Sequence, residues 1–241
     1  MSDSNTGIPD KVITYKYKFK FKNGELREFV IRLDNKTLDL VPDKRGACPG
    51  WAELKNFRCS NCSIDDINVK YCPIALNLAE LIDFFRSFIS YEEVEVFIEA
   101  DERNYYKNTT LQNGLSPLIG IFMVTAGCPI MDKLRPMVRF HLPFASIDET
   151  NYRVISMYIL AQYFFLRRSK EPDWKMNNLV KIYEDVRKVN KNICKRLSKI
   201  NVEDASINAL IRLDLFADTV SFTVTENMLD EIEILFKAYL G

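Results

Sequence analysis

From Ile13 to Phe21 the chain alternates apolar and basic residues (ITYKYKFKF), a pattern that predicts a strand with one buried and one wet face. Asn23-Gly24 supplies a hairpin turn, and LREFVIRL returns from Leu26 to Leu33. A second extended pair is expected from VEVFIEA (Val94 to Ala100), a turn around Asp101 to Asn104, and a polar strand running toward Leu111. Four antiparallel strands follow from these segments. Between the two pairs lies a cysteine-bearing insertion and the helical segment PIALNLAELIDFFRSFIS, in which Ile74, Leu78, Leu81, Phe85 and Phe88 recur at helical spacing.

Beyond residue 111 the period changes. Ser116 can cap a helix that starts with Pro117 and ends at Gly127. Ser146 and Glu149 form a capping box that opens a helix carrying Tyr152 to Arg168. Leu179, Ile182, Val186, Val189, Ile193, Leu197 and Ile200 step by three and four, which predicts a long amphipathic helix after Pro172. Two further helices are expected near Asp204 and Thr225, the last with Leu229, Ile232, Phe236 and Tyr239 on one face. The pattern thus predicts a single α+β domain over residues 1–241: an N-terminal antiparallel sheet with a cysteine-bearing insertion (1–112), then a C-terminal helical bundle (113–241). There is no internal repeat and no low-complexity tract.

Two apolar runs bear on membranes. The stretch from Leu111 to Met131 is uncharged but is interrupted by polar residues, Gly114 and Pro117, and VISMYILAQYFFL (Val154 to Leu166) is flanked by charge. Both are short of the roughly 20 apolar residues a spanning helix needs, so both are read as interior helices and no membrane partner is expected. The 33 basic and 33 acidic residues cancel, leaving no global attraction for nucleic acid or an anionic surface. The N-terminal MSDSNTGIPDK lacks the apolar core of a signal peptide. A cytoplasmic, reducing location is therefore expected, which favours metal ligation over disulfides for the cysteines.

Cys59 and Cys62 form a C-x2-C pair, Cys72 follows in the same segment, and Cys128 arrives much later, like Cys72 directly before a proline. Four such thiolates can complete a tetrahedral shell around zinc or hold an iron–sulfur cluster. Pro73 and Pro129 each suit the first position of a helix, which would place Cys72 and Cys128 at N-caps, where the dipole favours thiolate. Only one C-x2-C knuckle is present, so unligated or redox-active thiols stay open beside zinc and a cluster. Cys48, in ACPGW, is an alternative fourth ligand, and the lone His141 another; Cys194, next to Ile193 on the amphipathic helix, reads as a buried core thiol. With four thiolates a zinc ion keeps no open position, so the leading reading is a metal-binding protein with a binding or sensing role.

A second constellation, KLRPMVRFHLPF, gathers Lys133, Arg135, Arg139 and His141. Arg135, Arg139 and His141 are candidate anion-binding residues, and the alternative function is an enzyme that holds an anionic small molecule near the thiolates. Pairing with Asp132, Asp148 and Glu149, or a structural bond from His141, is the bland alternative. A third feature, the basic run Lys188, Lys191, Lys195, Arg196 and Lys199, carries no nucleic-acid signature and is read as a solvated face. No phosphate loop, GxSxG elbow or HExxH helix is present.

The segments YCPIALNL, LQNGLSPLIGIFMVTAGCP, LRPMVRFHLPFA and ETNYRVISMYILAQYFF resemble an uncharacterised family of bacterial proteins that share CxNC, GCP and LRPMxRFHLPF elements. The resemblance covers roughly Trp51 to the end of the chain. It implies no activity, and places Cys59, Cys62, Cys72, Cys128, Arg135, Arg139 and His141 within its motifs.

Overall fold

The structure, a computed structural model, describes residues 11–41, 48–65, 67–225 and 229–241. The N-terminal MSDSNTGIPD lies outside these residues. Strands β1 (Val12–Phe21), β2 (Leu26–Asp34), β3 (Glu93–Ala100) and β4 (Asn104–Thr110) form one sheet in the order β2-β1-β3-β4. Every neighbouring pair is antiparallel, with Tyr17 opposite Phe29 on one side and Ile98 on the other. The alternation in β1 sorts its side chains as the sequence predicts. Tyr15, Tyr17, Phe19 and Phe21 are buried on one face with Ile31, Leu33, Val94, Val96 and Ile98. On the other face Lys16 meets Glu28 at 3.0 Å, Lys20 meets Glu95 at 2.8 Å, and Lys18 and Lys22 pair with Glu99 and Glu93.

Helix α1 (Pro73–Phe84) covers the buried face with Ile74, Leu78 and Leu81. It stops short of Phe85, which still packs at 5.3 Å from the ring of Phe19, contributed by the turn that follows. Helix α2 (Leu111–Val124) leaves directly from β4, and Pro117 lies inside it rather than at its start. The early start is enabled by a nonlocal contact. Leu111 and Gln112 donate their backbone N–H groups to the carbonyls of Glu92 and Ser90, which satisfy the otherwise orphaned first turn. Gly114 then lets the helix settle on the sheet: a Cβ there would stand 2.8 Å from Val96 and 2.9 Å from Phe19.

A 3-10 turn (Met131–Leu134) leads into the short α3 (Arg135–Arg139), then α4 (Ile147–Arg167), α5 (Asn177–Leu197) and α6 (Ala205–Thr225). The capping box of α4 forms, with Ser146 accepting from the Glu149 N–H and Glu149 accepting from the Ser146 N–H. The interior reading of its apolar run is only partly met. Val154, Tyr158 and Gln162 are buried along one stripe, while Leu160, Tyr163, Phe164 and Leu166 are exposed, because α4 packs against the remainder through a single face. After α6, the expected last helix is a succession of short pieces, α7 (Asp230–Glu233), a 3-10 turn and α8 (Lys237–Leu240), with Phe236 and Tyr239 exposed. Part of its expected start, residues 226–228, lies outside the described residues. Among the described residues, no helix is long and apolar enough to cross a membrane.

Candidate functional site

Residues 48–65 and 67–72 form a lobe with little regular structure, and α5 holds it by one side. Asn61, between Cys59 and Cys62, donates to the Asp185 carbonyl at 3.2 Å and to its carboxylate at 3.0 Å. Asn192 donates to the Arg58 carbonyl at 3.3 Å. Arg196 donates to the carbonyls of Trp51 at 3.0 Å, Glu53 at 3.3 Å and Phe57. The knuckle itself closes with the Cys62 N–H on the Cys59 carbonyl at 3.1 Å. At the far end of the lobe, the Cys72 N–H donates to the Ala52 carbonyl at 2.8 Å.

Cys72 stands at the N-cap of α1 with Pro73 first in the helix, as the sequence predicts, although its side chain makes no capping bond. Cys128 follows Gly127, whose φ of 82° turns the chain back after α2. Its carbonyl accepts from the Asp132 N–H at 2.9 Å, opening the 3-10 turn in place of the expected helix. These separate segments converge: Cys59, Cys62, Cys72 and Cys128 all line one cavity of about 20 Å³, floored by Ile74, Val189 and Ile193. That space is about that of one small ion or water. Cys72 and Cys128 are buried, Cys59 and Cys62 half-buried, and no disulfide joins them. Among the described residues, no group of three or more His, Cys, Asp or Glu side chains is placed so as to hold a metal ion directly.

The electrostatics differ from the expected thiolate bias. Burial pushes the Cys59 thiol up to about 12, with Cys72 and Cys62 adding to the rise and the Arg196 guanidinium opposing it. Burial likewise raises Cys128, against the lowering pull of the Met131 and Ile130 N–H groups. Backbone N–H groups do lower the Cys128 thiol, from a 3-10 turn rather than a helix start, but desolvation outweighs them. Cys48 is exposed and outside the cavity, and Cys194, half-buried on α5, is also outside it.

Arg196 is what the sequence reading missed. The basic run it belongs to reads as a solvated face, yet Arg196 has no exposed surface. The signal was present: Arg196 falls three residues after Ile193 and seven after Val189, on the apolar stripe of α5 rather than opposite it. No carboxylate pairs with it among the described residues. Burial lowers its pKa, and the neighbouring Cys72, Cys59 and Cys62 oppose that shift.

The second constellation is not gathered into one site. Arg135 pairs with Asp39 at 2.7 Å and with Asp132, and also reaches the Thr37 carbonyl. Arg139 donates to the Asn35 side chain at 2.7 Å and to its carbonyl at 3.1 Å. Both arginines fasten the segment after Cys128 to the end of β2. His141 turns inward instead, sharing a 2.5 Å hydrogen bond with the Tyr17 hydroxyl, and its ring meets that of Tyr15 edge-on at 5.2 Å. Burial, aided by Arg153, pushes its pKa down to about 3, so the imidazole is neutral.

The fold and this cavity define an α+β protein with a partly buried cysteine cluster between sheet insertion and helical bundle. The chain belongs to the family described as domain of unknown function (DUF6901), whose model matches residues 13–237. This agrees with the resemblance to an uncharacterised family. No curated protein and no solved structure matches it.

Proposed function

We propose that this is a cytosolic metal-binding protein with a binding or sensing role, in which Cys59, Cys62, Cys72 and Cys128 hold one zinc ion that ties the sheet insertion to the helical bundle. The observation that carries this reading is the convergence of four thiols from three separate segments on one small cavity. Arg196 supports it independently. A fully buried guanidinium without a carboxylate needs an anionic neighbour, and a dication held by four thiolates carries net negative charge. The Cys59 and Cys128 thiols are raised chiefly by burial, and binding of a cation would displace such protons. The cavity size favours a single ion over an iron–sulfur cluster, which needs more than a one-water space.

Four thiolates would fill the zinc coordination sphere, so the metal would serve structure or sensing rather than substrate activation. The test is metal content of the purified protein and of its Cys59→Ser and Cys128→Ser variants. About one zinc per chain in the wild type, lost in each variant with a stability drop of several kcal/mol, is expected. Full stability and metal content in either variant would remove that residue from the site.

A further inference from the structure

Between the sheet and the helices lies a second, far larger cavity, open on one side. It measures about 430 Å³ and lies between β4, α2, the loop 141–146, α4, α5 and α6, a volume typical of small-molecule sites. Its walls are mainly apolar, with Met137, Phe144, Leu213 and Phe216 prominent. Three polar atoms on residues that line it are shielded from solvent and have no hydrogen-bond partner: Arg212 Nε, Asn190 Oδ1 and Asn113 Oδ1. Asn190 is only 1 % exposed. Such groups each cost free energy when left unpaired, so a cavity that gathers several of them is shaped for something that pairs with them.

The charge balance states the sign of the occupant. Lys107, Arg153 and Arg212 line the cavity against one carboxylate, Glu149, which is already bound to the Ser146 N–H at 2.7 Å. Arg153 donates to the carbonyls of Met137 and Phe140, and no ion pair to it or to Arg212 occurs among the described residues. The Arg212 guanidinium instead lies 5.8 Å from the centre of the Phe216 ring. His141, held neutral, adds no charge to this wall. A guanidinium donates to a carboxylate by paired hydrogen bonds, which Arg212 can do once its side chain turns toward the cavity, while asparagine oxygens call for a donor on the same molecule.

We propose that this cavity binds a small amphipathic carboxylate that also carries a hydrogen-bond donor, its anionic head on Arg212 and its apolar body against Met137, Phe144, Leu213 and Phe216. The site is separate from the cysteine cavity and does not rest on the metal reading. It takes over the anionic ligand from Arg135 and Arg139, whose side chains are committed to the turn after β2.

Anilinonaphthalene sulfonate, an amphipathic anion with an N–H donor, serves as the fluorescent probe, with decanoate and decanol as competitors. One saturable site is expected, displaced by decanoate at least tenfold more effectively than by decanol. Arg212→Gln should weaken probe binding by about tenfold or more, and Arg212→Lys should restore part of it. Equal displacement by the two competitors, measured on the wild-type protein, would overturn the proposal whatever the variants do. So would unchanged affinity in a folded Arg212→Gln protein, or loss of the signal in Phe164→Glu, which would place the probe on the exposed face of α4.

Discussion

Arg196 is a guanidinium with no exposed surface whose hydrogen bonds go to three lobe carbonyls and to Asn192 at 3.2 Å. Removing it leaves those carbonyls without a donor and takes away the guanidinium that opposes the rise of the Cys59 thiol. Arg196→Met is expected to destabilise the protein by about 3 kcal/mol or more, read by urea unfolding. Lysine cannot span three acceptors with one ammonium, so Arg196→Lys should recover little. Full recovery in the lysine variant would show that charge alone suffices. His141 makes a different demand. Its folded pKa lies near 3 against 6.5 when exposed, so the unfolded state binds more protons below about 6.5. Stability is then complete above that pH and falls as the pH drops, by at most about 1.4 kcal/mol per unit. Between pH 6.5 and 5 the wild type should lose stability faster than His141→Gln. Parallel curves would contradict the buried neutral imidazole.

Among the elements, those governed by local rules were legible in the sequence. The period-two run of β1, the Asn23-Gly24 turn and the Ser146 capping box each specify their own geometry within a few residues, and each forms as read. What depended on distant partners was not. The start of α2 is decided by carbonyls at Ser90 and Glu92, so Ser116 and Pro117, a sound local start signal, are overridden. The apolar run of α4 was assigned to the interior by composition, but burial follows the stripe that meets a neighbour. Within the site, the four cysteines could be nominated from spacing and helix caps, whereas the clamp by Asp185, Asn192 and Arg196 needs the register of α5 against a lobe over a hundred residues away. The close seat of α2 gives an element-level prediction. Gly114→Ala should cost about 1–3 kcal/mol, since its Cβ would overlap Val96 and Phe19 on central strands. Thermal unfolding checks this, and an unchanged midpoint would mean that α2 sits farther from the sheet.

At the scale of the whole molecule, the sheet and the bundle are joined at several places, two of which bear on the site. Tyr15 donates to the Val138 carbonyl at 3.1 Å, and Tyr105 to the His141 carbonyl at 3.3 Å, tying the sheet to α3 and the residues just after it. The cysteine cavity forms the second joint, where the lobe, α1, α5 and the turn after α2 meet. Removing a metal from that joint should therefore act regionally. Chelation is expected to raise amide exchange in residues 48–72 and 126–134 while β1 and β3, the central strands, stay protected. Uniform loss of protection would instead mean that the sheet cannot stand without the joint.

The most direct test of the central claim is X-ray absorption at the metal edge of protein purified without added metal. One zinc per chain with a shell of four sulfurs at about 2.3 Å is predicted. A shell containing nitrogen or oxygen, or protein that carries no metal and takes up none, would contradict the four-thiolate centre.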